Sequence, residues 1–154
     1  MAVKKPLVIT NGNIERLQPG DSLDLANTVE KVNSTGNAII FATPVYVNGG
    51  NAIPAQADSN PTSKAVGLVT ADAPDAAPVI IQTSGILTGT TAQWDAVTGS
   101  TGGLSEGSQY FLSEIAPGLM SLIAPDANGE YVVSLGIALS ATEFEIEIGT
   151  PIRL

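Results

Sequence analysis

The chain has 154 residues, enough for one domain with a hydrophobic core and too few for two ordinary ones. Its formal net charge of −9 argues against nucleic acid as a partner, because phosphate binding needs a basic patch. With no cysteine and no histidine, disulfides, thiolate metal sites and Ser-His-Asp catalysis are excluded, while 44% hydrophobic against 14% charged residues predicts a folded chain.

The N-terminal stretch MAVKKPLVITNGN carries a basic pair but no apolar signal core, and no apolar run approaches the roughly 20 residues that span a bilayer. A soluble, unprocessed chain with no membrane partner is expected. Residues 1–27 differ from the body in their mixed charge and short apolar stretches broken by NGN and QPGD. One reading is a frayed terminus with an edge strand. The other is an arm that adds a strand to a partner, with Val8, Ile9, Ile14 and Leu17 as apolar anchors and Lys4, Lys5 and Arg16 meeting acidic groups.

From residue 28 to 154 prolines and glycines interrupt the chain too often for a helical apolar period, while alternation with period two recurs. Short strands are predicted at AIIFA, PVYV, KAVGLVTA, PVIIQTSGIL, SQYFLS and GLMSLIA, separated by turn signals such as NGGN, APDAAP and DANGE. TTAQWDAV is the one helical candidate, a single turn with a threonine cap and Gly99 as its stop. In EYVVSLGIALS one parity, Tyr131 to Leu139, is expected to line one side. In EFEIEIGTPIRL, Phe144, Ile146, Ile148, Ile152 and Leu154 share a face opposite Glu143, Glu145 and Glu147. The expected fold class is all-β, a barrel or sandwich.

The two halves echo each other. TPVYV, KAVGLVTA and PVIIQTSGIL are answered by SQYFL, VVSLGIALS and EFEIEIGTPIRL, with Gly67 and Gly136 in matching places. Two similar β units are therefore expected, at 38–90 and 104–154, each needing the other to cover its exposed face. Trp94, the lone tryptophan, stands between them, and it is expected to pack against the body or a neighbouring subunit and pin the crossover TGSTGGLSEG.

Chemistry-bearing patterns are sparse. Asp72 and Asp75 read as turn residues before they read as a catalytic pair, DANGE reads as a hairpin turn before a calcium loop, and the Glu143, Glu145 and Glu147 ladder reads as a solvated strand face. No cofactor, metal or enzymatic activity is expected.

From Ile39 to Leu154 the stretches TPVYV, SKAVGLVTA, TSGILTGTTAQWDAVTGSTGGLSEGSQYFLS, PGLM and VVSLGIALSATEFEIEIGTPIRL resemble modules of tailed-bacteriophage virion proteins, found in capsid decoration proteins, head fibres and some tail fibres. The order of strands up to the tryptophan is similar to the trimeric head-decoration proteins of lambdoid phages. This resemblance implies a homotrimer on the capsid exterior that binds the major capsid protein, stabilises the assembled head and touches the shell with its N-terminal arm. The alternative it leaves open is a fibre module recognising the host surface.

Overall fold

The computed structural model describes residues 7–10, 13–16 and 27–154. It is an all-β protein with one short helix, and no helix among the described residues is long and apolar enough to cross a membrane. Near the N-terminus, β1 (Leu7–Thr10) and β2 (Asn13–Arg16) form an antiparallel hairpin.

Five strands follow: β3 (Thr28–Asn33), β4 (Pro44–Asn48), β5 (Asn51–Pro54), β6 (Gly67–Val69) and β7 (Pro78–Gln82). They close into a barrel in the order β3-β5-β4-β6-β7. Its interior holds Ile39, Val45, Ala52, Val69, Ala73, Val79 and Ile81. Closure comes from a parallel contact in which Val32 faces Asn51 and Asn33 faces Ala52. Asn33 is fully buried there and fully satisfied: its Nδ2 donates to the carbonyls of Asn37 (2.7 Å) and Ala73 (2.9 Å), while its Oδ1 accepts from Thr35. A buried amide with every group paired costs little and fixes the closing register.

The second half contains β8 (Gly85–Thr88), α1 (Thr91–Thr98), β9 (Gln109–Leu112), β10 (Met120–Ser121), β11 (Tyr131–Val132), β12 (Ser134–Ala138), β13 (Glu143–Ile146) and β14 (Ile152–Arg153). Five of these strands make a sheet in the order β10-β9-β12-β13-β8, and β11 pairs with β14 separately.

Strand order repeats between the halves: β5-β4-β6-β7-β3 in the first becomes β10-β9-β12-β13-β8 in the second. The registers agree residue by residue. Val45 faces Gly67 as Tyr110 faces Gly136, Val69 faces Ile81 as Ala138 faces Phe144, and Val29 faces Ile81 as Leu87 faces Phe144. Hydrogen bonds outside the ladders match too. Ala42 N–H donates to Val69 O as Gly107 N–H does to Ala138 O; Thr43 N–H donates to Ile40 O as Ser108 N–H does to Ser105 O; Thr70 N–H donates to Ile80 O as Leu139 N–H does to Glu143 O. Even the left-handed residue before the second strand recurs, Ala42 at φ 62° and Gly107 at φ 75°.

The matching strands span 28–82 and 85–146, so each unit begins earlier than the sequence echo at 38–90 and 104–154 placed it. The first strand of each unit falls outside the echo, β3 because it precedes residue 38 and β8 because GIL reads as the end of PVIIQTSGIL, yet each pairs with the last strand of its unit.

Three expected strands are interrupted. PVIIQTSGIL divides at Thr83 and Ser84 into β7 of the barrel and β8 of the second sheet. The single parity across EYVVSLGIALS fails at a bulge between Ser134 and Gly136: Val133, Leu135 and Ala138 are buried, while Ile137 and Leu139 are exposed. Gly136 has φ 144°, and a side chain there would overlap Glu145 O, so the one residue able to make the bulge sits in it. EFEIEIGTPIRL keeps its alternation through the half-buried Ile148, with the N–H groups of Glu147 and Gly149 still donating to Leu135 O and Ser134 O; only then does it turn away, and Ile152 and Leu154 emerge exposed.

Candidate interaction surface

Trp94 anchors the junction between the units. Thr90 caps α1 in a reciprocal box: its Oγ1 accepts from Gln93 N–H, and its own N–H donates to Gln93 Oε1 at 2.8 Å. Gly99, left-handed at φ 67°, ends the helix. Between these caps the spacing of Trp94 and Val97 puts both on the buried face. Trp94 meets Phe41 of the first unit edge-on (centroids 5.4 Å apart) and Phe144 of the second (5.6 Å), and Phe144 continues to Tyr110. Its Nε1–H donates to Thr142 O at 3.1 Å, which satisfies the one polar atom the burial would otherwise strand.

The crossover after α1 is held by Asp95, whose carboxylate accepts from the N–H groups of Gly102 (3.0 Å) and Gly103 (2.7 Å). Nothing in the sequence pattern singled out Asp95. Its position on the turn of helix that faces the following glycines is the signal that could have found it.

The helix also explains why the second unit stays open. By the shared register, the residues matching Val32 and Asn33 are Thr90 and Thr91, where β8 has already ended and α1 begins. The strand segment that closes the first barrel is thus spent on a helix cap in the second. A groove of about 290 Å³ remains beside β10, lined by Thr98 and Ser100 from the end of α1, by Tyr110, and by Leu119 to Ile123. No charged side chain lines it. Its rim carries large apolar residues in the open: Ile115 is 85% exposed, Ile123 78% and Leu122 49%. All three lie in EIAPGLMSLIAPDA, where prolines break the strand pattern; an isoleucine next to a proline-bound turn has no sheet face to hide on.

Beside that rim, Glu114 and Glu130 each leave one buried carboxylate oxygen, Oε2, without a partner. A hydrogen bond to Glu130 holds the Glu114 carboxyl above the ordinary range, and burial and the charges of Glu130 and Asp126 push the same way.

Asp72 and Asp75 serve the fold. Asp72 Oδ1 accepts from Phe41 N–H and Asp75 Oδ1 from Gly36 N–H, both at 2.8 Å, so the two aspartates pin separate loops. DANGE forms a turn around Gly129, whose N–H donates to Leu154 O, tying down the C-terminus. Glu143, Glu145 and Glu147 project outward. Among the described residues no three such side chains converge as a metal-ligand set.

Of the arm residues, Val8, Ile9, Ile14 and Arg16 fall in the β1–β2 hairpin, where Ile9 faces Ile14, Val8 faces Glu15 and Leu7 faces Arg16. Lys4, Lys5 and Leu17 lie outside the described residues. No known protein family, curated protein or solved structure matches this chain.

Proposed function

We propose that this chain is a structural virion protein of a tailed bacteriophage, a decoration protein that binds the outside of the assembled head as a homotrimer and reinforces it by bridging major capsid proteins. The observation that carries the reading is the apolar rim of Ile115, Leu122 and Ile123 on a rigid acidic β body, a surface suited to holding another protein. The resemblance of residues 39–154 to phage virion modules supplies the identity of that partner. Such a protein needs no catalytic machinery. Its binding raises capsid stability by mass action, because it recognises the lattice and not separated subunits.

The fibre alternative is less well supported: the lone tryptophan is fully buried and offers no stacking platform for a host glycan. The deciding experiment is co-sedimentation with undecorated heads. Binding together with increased heat resistance of the heads is expected, and binding to host cells alone would overturn the proposal. Removing residues 1–17 should abolish head binding while the β body stays folded; unchanged binding removes the arm from the contact.

A further inference from the structure

In the first unit the outer strand β5 is covered by β3 of the same chain, running parallel to it. In the second unit the matching outer strand, β10, has no such cover among the described residues, and the other edge of its sheet, β8, is likewise unpaired on its outer side. We propose that the second unit is closed between copies: β8 of one chain lies parallel to β10 of the next, in the sense in which β3 lies beside β5, with β8 itself taking the place of the matching pair Thr90 and Thr91 that the helix uses.

Strand directions permit this. Every neighbouring pair in the order β10-β9-β12-β13-β8 is antiparallel, so β8 and β10 point the same way, as β3 and β5 do. A rotation about an axis along the strands therefore brings one edge beside the other in the parallel sense already used in the first unit.

The surfaces are suited to it as well. The groove beside β10 is lined by uncharged side chains, with Glu114 at its flank, and it presents Leu119 to Ile123 as an apolar seat. Ile123 and Leu122 stand at its rim, and Ile86, 54% exposed, stands on β8. Ile86 O is held by the Gln82 side-chain amide at 3.1 Å, a flexible donor standing where a neighbouring strand's N–H would come. Each copy offers one β8 edge and receives at one β10 edge, so the contact is head-to-tail, the kind that forms a ring where its rotation closes.

The contact rests on the homotrimer of the proposed function and takes up Leu122 and Ile123 of the rim within it; a multimer whose mass the variants leave unchanged overturns the contact alone, and capsid binding is not its readout. The test is sedimentation of the full chain and of Ile86→Asp and Ile123→Asp, both exposed positions. Wild type is expected at several times the mass of one chain, and each variant at the mass of one chain with unchanged far-UV circular dichroism. An equimolar mixture of the two variants should give a two-chain species, because each retains one intact edge. A single-chain mass for wild type overturns the proposal, as does a mixture that stays single-chain or variants that keep the wild-type mass. Should an aspartate variant fail to fold, Ile86→Thr and Ile123→Thr provide the same comparison.

Discussion

The two units use one strand order and one register to reach different ends: the first closes on itself, and the second replaces its closing strand with a helix. The difference begins at two residues. Where the first unit has Val32 and Asn33, a β-branched residue and a buried amide that continue the strand, the second has Thr90 and Thr91, followed by a glutamine that completes a capping box. Short local sequence decides whether a shared topology becomes a barrel or an open sheet with a helical plug.

The most severe way to break the comparison is to remove the plug. Trp94→Ala takes the largest buried side chain out of the aromatic cluster, while Thr142 O keeps its bond from Gly89 N–H; the expected loss is about 4 kcal/mol and roughly 10 °C in melting temperature for a chain of this size. Hydrogen exchange should then rise more in β9, β12 and β13 than in the closed barrel, and equal loosening of both units would mean that the helix does not act as the substitute for strand closure.

A second test sets the matched glycines against each other. A side chain at Gly67 would overlap Gln82 O, and one at Gly136 would overlap Glu145 O, but only Gly136 also needs a glycine backbone angle. Gly136→Ala is expected to cost about 3 kcal/mol and Gly67→Ala about 1 kcal/mol less in urea denaturation. Equal costs would show the bulge contributes nothing beyond the close approach.

The smallest effect concerns the acid pair, which only the second unit carries. Because folding raises the Glu114 pKa, the folded chain keeps a proton that the unfolded chain gives up as pH rises past the ordinary carboxylate range. Stability is therefore full in acid and declines until the folded group also ionises. Glu114→Gln should melt higher than wild type near neutral pH, with the gap closing at about pH 4. A gap of the same size at both pH values would assign the gain to packing.

Much of the architecture was legible because alternation reports burial: Phe144 and Ile146 are buried against exposed Glu143 and Glu145, as their parity requires. The threonine-capped helix was legible from its caps, though it runs two turns and not one. What the sequence concealed was geometry without a period. A bulge at Gly136 reverses the parity of every later residue in β12, and a chain that turns away after Gly149 still reads as an alternating strand. The apolar rim was hidden because Ile115, Leu122 and Ile123 fall in segments that read as strand or turn, and neither reading leaves them bare. The Glu114–Glu130 pair joins residues from two different loops, a proximity set by the tertiary fold alone.

The shared core has a consequence for how the chain is made. Phe41, Ala42, Ala55 and Leu68 belong to the first unit, yet they are buried in one cluster with Trp94, Tyr110, Leu135 and Phe144 of the second. During synthesis the barrel can close as soon as β7 emerges, but one apolar flank stays bare until the later strands arrive to cover it. The first unit is thus a template on which the second is laid down, and a chain cut between them would leave two sticky halves in place of two small proteins.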